Sequence, residues 1–207
     1  MDIISRSDLI NKHYDVVIVG AGSMGMSAGY YLSQKDLNIL MIDSHDPPHA
    51  HGSHGGDTRL IRHAVGEGLE YIPLALRSQE LWDELQTHSN DEIFRQIGIL
   101  NFGYKGSEFL ENTIEGAREY NLEIETLTAK EIQQRWPGLH GEDLEIGYYE
   151  KKGGVIMGEN AIRTYRRLAL ANGAELLIDT PVKSIQPEED IVTVETEHDT
   201  FTADKLI

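Results

Sequence analysis

The sequence predicts an α/β fold, and three observations carry that reading. The apolar run Val16-Val17-Ile18-Val19 leads directly into Gly20-Ala21-Gly22-Ser23-Met24-Gly25. This glycine turn opens a stretch of helical character from Met26 to Lys35. A second apolar run, Ile39-Leu40-Met41-Ile42, then ends on Asp43. Strand, glycine turn, helix, strand and acid within about thirty residues make up the context that a dinucleotide-binding turn requires.

Each residue of that turn has a physical task. Gly20 permits the tight turn off the strand, Gly22 lets the backbone approach a pyrophosphate, and Gly25 lets the helix pack closely on the strands. The helix N-terminus, at Ser23 and Met24, offers N–H groups and a partial positive charge to phosphate. Asp43 stands where a carboxylate can accept hydrogen bonds from ribose hydroxyls. The pattern predicts an ADP moiety and does not choose between flavin and nicotinamide.

Composition narrows the class. The 207 residues are 40% hydrophobic and 26% charged, ordinary values for a globular protein with a sizeable core. The formal charge of −17 disfavours nucleic acid as a partner, since a positive surface is needed to displace counterions. No apolar run is long enough to span a membrane, and Met1 to His13 carries no signal-peptide core. Cysteine is absent, so thiol chemistry and disulfides are excluded for these residues. The expectation is a cytoplasmic protein without a membrane partner. Because Thr202 to Ile207 reads as a strand beginning, the chain is expected to be part of a longer protein, with apolar surface at Val16–Val19 and Leu206-Ile207 left uncovered.

Later segments follow the same logic. Ser44 to Asp57 is a long loop with Pro47-Pro48, several glycines and four histidines, and loops of that length are usually functional. Asp57-Thr58 is expected to cap a short helical turn through Arg59 to His63. Tyr71 to His88 reads as a helix. From Asn90 the character changes, with strands at Ile93-Phe94, Ile97–Phe102, Leu122–Ile124 and Ile146–Glu150 and helices at Glu108–Tyr120 and Ala129–Arg135. A helix from Asn160 to Asn172 and strands at Glu175–Ile178, Val182–Gln186, Ile191–Thr196 and from Phe201 restore the first pattern. The expected architecture is a Rossmann-like nucleotide domain built from residues 14–88 and 151–207. A sheet-containing layer, residues 89–150, is inserted into it, and residues 1–13 form an N-terminal arm.

Candidate chemistry concentrates in His51-Gly52-Ser53-His54-Gly55-Gly56-Asp57-Thr58-Arg59-Leu60-Ile61-Arg62-His63. On a helical turn Arg59 and Arg62 would share a face. Two guanidiniums beside a glycine-rich loop suit an anion, because the planar fork binds a carboxylate through two parallel hydrogen bonds. The competing reading is that both arginines pair with surface carboxylates. Five of the nine histidines lie between His45 and His63, yet the loop lacks a metal-ligand spacing and no metal site is expected. Val182 begins a strand that could offer its backbone to adenine. Tyr148, Tyr149 and Trp136 could line a substrate pocket, although aromatics in such positions are most often core, and the spacing of Glu67 and Glu70 supports no acid–base role.

These motifs resemble the monomeric sarcosine oxidases and, equally, the related N-methyl-L-tryptophan oxidases. The likeness runs through Gly20–Met26, Asp43–His49, Gly52–Arg59, Arg62-His63, Gly66–Gly68, Tyr71–Ser78, Arg135–Gly138 and Ala203–Lys205. It implies FAD, oxidation of an N-methyl amino acid by oxygen, and formation of the amino acid, formaldehyde and hydrogen peroxide by a monomer. It implies that Arg62 binds the substrate carboxylate and that Arg59 and His54 lie beside the flavin, with Ser53 and Thr58 among the cofactor contacts. The cysteine that would carry the flavin covalently, and the lysine associated with oxygen reduction, would lie beyond Ile207. Two residues depart from the family pattern: Gly55 stands where a histidine is usual, and Val65 where a tyrosine is usual. A nicotinamide-dependent dehydrogenase and a non-catalytic nucleotide-binding module are the alternatives that the glycine turn alone leaves open.

Overall fold

The computed structural model describes residues 13–141 and 144–207. Of the N-terminal arm only His13 falls among them, and it opens a strand. In chain order the elements are β1 (His13–Val19), α1 (Ser23–Ser33), β2 (Ile39–Ile42), β3 (Arg59–Ile61), α2 (Ile72–Thr87), β4 (Phe94–Gln96), β5 (Ile99–Gly103) and α3 (Glu108–Glu119). There follow β6 (Ile124–Thr128), α4 (Ala129–Arg135), β7 (Ile146–Glu150), β8 (Gly154–Ile156), α5 (Gly158–Ala171), β9 (Glu175–Leu177), β10 (Val182–Pro187), β11 (Val192–Thr196) and β12 (Thr200–Leu206). They form two compact units: residues 1–57 with 158–207, and residues 58–157.

The first unit is built on a six-stranded sheet in the order β10-β11-β12-β1-β2-β9. Strands β12, β1, β2 and β9 run parallel, and β11 and β10 are antiparallel additions at one edge. Parallel strands covered on both faces read as continuous apolar runs. Accordingly Val17, Ile18, Leu40, Met41 and Ile42 are fully buried. Tyr14, Val194, Phe201 and Ala203 complete the core on one side, with the Tyr14 hydroxyl donating to Glu175 at 2.8 Å. Helices α1 and α5 pack together, and the rings of Tyr30 and Tyr165 meet at 5.4 Å.

Val16 to Val19 are therefore covered, contrary to the expectation of exposed apolar surface there. The reason is pairing: β12 lies between β1 and β11, and Ile207 exchanges backbone hydrogen bonds with Val17 and Val19. Of these residues Val19 and Leu206 are partly buried and Ile207 is exposed.

The second unit carries two three-stranded sheets, β3-β8-β4 and β5-β7-β6. Here Arg59 to Ile61 is a strand, not the expected helical turn. It pairs antiparallel with Val155 and its neighbours, a strand of three residues too short to register as a pattern in the sequence. The boundary also shifts. Residues 58–88 belong with the second unit, because β3 pairs with β8 and α2 is tied to the segment before β4 through Gln86, which accepts from the Ile93 N–H at 2.7 Å. Around the central strand β7, Ala64, Leu110, Ala117 and Tyr148 form one small core and Leu127, Ile132 and Leu144 another.

The closest packing in the first unit is at the start of α1. A Cβ on Gly25 would overlap the Gly20 carbonyl and stand 3.1 Å from Ile18. Overpacking of this kind costs about 1–3 kcal/mol. Gly25→Ala is expected to lower unfolding free energy by that amount in urea denaturation, whereas Gly138→Ala, which meets nothing within 4 Å, should be near neutral.

Candidate functional site

The ends of β1 and β2 and the loop after β2 enclose a cleft of about 360 Å³ in the first unit. Gly20, Gly22, Ser23, Met24, Gly25, Asp43, Ser53 and His54 all line it, together with His45, His49 and His51. Gly20 takes a φ of +98°, which turns the chain from β1 toward α1. Gly22 caps α1 in an extended conformation with no side-chain cap, and no acid stands in the first turn. The first-turn N–H groups thus meet no carboxylate of their own helix, which suits an incoming anion.

Asp43 is buried, and its carboxylate organises the cleft. One oxygen accepts the Ala21 N–H at 2.7 Å; the other accepts the His45 N–H at 2.9 Å and stands 3.2 Å from Nε2 of His49. Because Nδ1 of His49 accepts the His51 N–H, His49 carries its proton on Nε2 and donates to Asp43. His54 is buried too, and its Nε2 accepts the His49 N–H at 3.3 Å, which leaves Nδ1 as the protonated nitrogen. That Nδ1 would stand 3.3 Å from a Cβ on Gly22. His45 and His51 stack at 4.0 Å. The histidine cluster is a folded hydrogen-bond and stacking network around Asp43, and among the described residues no three His, Asp or Glu side chains group as a metal site would need.

Gly55 is closely packed within the loop. A Cβ there would stand 3.0 Å from the Ala50 backbone, and the Gly55 N–H closes the turn onto the Gly52 carbonyl at 3.2 Å. Arg166 of α5 fastens the same loop through Asp46 and the Pro47 carbonyl. Val182 lines a neighbouring hollow with Gly20, Asp43, Thr180 and Pro181.

Thr58, Arg59 and Arg62 lie in the second unit. Arg59 is exposed on β3 and donates to the Thr58 carbonyl at 2.8 Å. Arg62 follows the end of β3, so the two arginines are not related by a helical turn. Arg62 is half-buried, stands over the Phe109 ring at 5.3 Å and pairs through Nη2 with Glu67. Its Nη1 is buried and has no hydrogen-bond partner. Burial pulls the Arg62 pKa down, but the Glu67 carboxylate and the nearby Tyr148 hydroxyl more than offset this and leave it raised. The Arg62 hydrogen bond in turn holds Glu67 below its ordinary value. With a folded pKa lower than the unfolded one, the pair's contribution is present at neutral pH and is lost as pH falls through the lowered Glu67 value.

The sequence offers Tyr148 only as a core or pocket-lining aromatic, and it marks neither Glu67 nor Glu150 as a neighbour of Arg62. Their partners are distant in the chain, so no spacing marks them. Trp136 and Tyr149 pack ring to ring at 5.6 Å.

Residues 15–207 match the family described as FAD dependent oxidoreductase. The chain belongs to that family. It is 51% identical over 199 residues to monomeric sarcosine oxidase of Arthrobacter sp. (strain TE1826), covering 96% of this chain and 51% of that protein. It is 47% identical over 195 residues to N-methyl-L-tryptophan oxidase of Escherichia coli O139:H28, covering 94% of this chain and 52% of the other. It thus spans about half the length of these curated relatives. Among solved structures it resembles the open form of NikD, an amino acid oxidase of nikkomycin biosynthesis, with a TM-score of 0.82 at 25% identity over 95% of this chain and 51% of that one. Family membership decides for flavin where the glycine turn left nicotinamide open. The donor set fits a dinucleotide: a glycine at the helix cap, first-turn N–H groups that meet no acid of their own helix, and a buried acid just after β2.

Two substitutions test the cleft. Gly22→Val should leave the purified protein without flavin, because the branched side chain fills the approach and strikes His54. Asp43→Ala removes an acceptor of charge-assisted hydrogen bonds, expected to cost about 1.5–3 kcal/mol, or roughly 10–150-fold in FAD affinity. Flavin released on denaturation, read by absorbance against protein concentration, is the measurement. Unchanged flavin content in both variants would remove the cleft from cofactor binding.

Proposed function

We propose that this chain supplies the cofactor-binding and carboxylate-binding parts of a monomeric oxidase of N-methyl amino acids, with sarcosine or N-methyl-L-tryptophan as substrate and oxygen as acceptor. The overall change would be R–NH–CH₃ + O₂ + H₂O → R–NH₂ + HCHO + H₂O₂. The observation that carries this reading is Arg62: a shielded guanidinium over the Phe109 ring whose carboxylate partner, Glu67, is itself half-exposed and so displaceable. The relatives at 51% and 47% identity, a monomeric sarcosine oxidase and an N-methyl-L-tryptophan oxidase, support the substrate class.

FAD, when bound, would supply the two-electron oxidation of the N-methyl carbon. The residues of this chain would do the holding. The turn from Gly20 to Gly25 would take the pyrophosphate, Asp43 the ribose hydroxyls, and the Val182 backbone the adenine. Ser53, Thr58 and Arg59 would complete the cofactor contacts. His54, protonated on Nδ1, would donate from beside Gly22 without changing its charge. Residues 1–57 with 158–207 would then be the FAD-binding unit and 58–157 the substrate-binding portion.

Arg62 would bind the substrate carboxylate and so orient the N-methyl end, which is the entropic part of the catalysis. Nη1 is buried, with the Tyr148 hydroxyl beside the guanidinium, and Nη2 is engaged by Glu67. A bidentate grip therefore requires the substrate to displace or share Glu67. The resting pair keeps the cation neutralised until a carboxylate competes for it.

Steady-state kinetics of peroxide release test the assignment. Arg62→Ala should raise KM for N-methyl amino acids roughly 10–150-fold, the range expected for a hydrogen bond to a charged group. Arg62→Lys should recover part of the loss, since an ammonium lacks the fork. Glu67→Gln weakens the internal competitor and should lower KM severalfold. An unaltered KM in Arg62→Ala would end the carboxylate role.

A further inference from the structure

Strand β7 is the centre of the sheet β5-β7-β6, paired on both sides along its whole length. Tyr148 and Glu150 are two apart on it and so project to the same face. Both are almost completely buried, at 0% and 2% exposure. Both are spent on the three residues that begin with Arg62. The Glu150 carboxylate accepts the backbone N–H of His63 at 2.9 Å, the backbone N–H of Ala64 at 3.1 Å, and the ring Nδ1–H of His63. The Tyr148 hydroxyl reaches the Ala64 carbonyl at 3.4 Å, and it lies beside the Arg62 guanidinium and Thr113.

A buried carboxylate without a cation is costly unless its lone pairs are filled, and here three donors from two adjacent residues fill them. The same bonds act in the other direction. They fix where the chain travels immediately after Arg62, the residue that follows the last β3–β8 pair, Ile61 with Gly154. Burial raises the Tyr148 pKa, so the hydroxyl keeps its proton.

We propose that Tyr148 and Glu150 are positioning residues for substrate recognition: from one face of β7 they hold residues 62–64 so that the Arg62 guanidinium stays where a substrate carboxylate can take the place of Glu67. This rests on the carboxylate-binding role of Arg62. Glu150 acts through the backbone, by clamping the segment that carries the arginine. Tyr148 acts at both ends, on the Ala64 carbonyl and beside the guanidinium. Neither touches substrate, and neither need move a proton.

The role predicts a loss of discrimination rather than a loss of chemistry. For the flavin-loaded protein, kcat/KM is measured for whichever of N-methylglycine and N-methyl-L-tryptophan is turned over faster, and for its carboxamide. Tyr148→Phe, which deletes one oxygen, should lower the carboxylate-to-carboxamide ratio about threefold to tenfold, through KM and with kcat held within about twofold. Glu150→Gln turns one acceptor into a donor facing an N–H group, and should lower the ratio by tenfold or more. General damage to the fold would slow both substrates alike and leave the ratio unchanged. If the ratio is unchanged in Tyr148→Phe and in any Glu150→Gln protein that folds, while it falls in Arg62→Ala, the positioning role is overturned and the role of Arg62 stands. An unchanged ratio in Arg62→Ala would overturn both.

Discussion

The first unit depends on the buried carboxylate of Asp43. Three parallel strands end beside it: the Gly20 N–H donates to Ile42, the Asp43 N–H to Leu177, and the Thr180 N–H to the Asp43 carbonyl. The side chain then takes the Ala21 N–H from the turn after β1 and the His45 N–H from the loop after β2. A negative charge is tolerable there because backbone donors surround it and the N-terminus of α1 lies alongside. The glycine turn, the helix start and the histidine loop thus share one electrostatic centre. The residues that would meet a cofactor are the ones already arranged around it.

The same device recurs in the second unit with a different output. Glu150 also sits near the end of a central strand, buried, with its oxygens filled by backbone N–H groups. At Asp43 the arrangement shapes a cleft of polar donors. At Glu150 it fixes the path of a segment that carries an arginine. In both cases a carboxylate that would be expensive to bury becomes a geometric constraint, because its acceptors are satisfied only when the surrounding backbone takes one course.

How much of this was legible in the sequence follows from the range of the interactions. The strand-turn-helix-strand unit from β1 to β2 is local, and each part constrains the next, so its boundaries could be read to within a few residues. Helices α2, α3, α4 and α5 carried their own periodicity. What failed was Arg59 to His63, read as a helical turn. Three residues carry no period that distinguishes strand from turn, and the deciding partner, Gly154–Ile156, lies almost a hundred residues away and is as short. The boundary of the inserted unit moved for the same reason. Glu67, Tyr148 and Glu150 were invisible as a group because nothing in their spacing brings 62–64 to β7; only the antiparallel sheets do.

The arginines show how structure sets one cation apart from the background of an acidic protein. With a net charge of −17, most guanidiniums find a carboxylate, and several here do so in the open. Arg77 with Glu80, Arg95 with Glu92, Arg135 with Glu125 and Arg163 with Glu159 are all solvent-exposed pairs. Pairs of that kind contribute about 0–1 kcal/mol and are screened by salt. Arg166 is shielded, but Asp46 and the Pro47 carbonyl occupy it structurally. Arg62 differs from these in combination rather than in any one property. It is shielded, it has a single exposed carboxylate on one edge, and its other edge is buried without an acceptor. Leaving a donor unpaired in such a place costs about 1–3 kcal/mol. On the role proposed for Arg62, a substrate carboxylate would take the place of Glu67, the partner that solvent already reaches, while the buried edge stays against the protein.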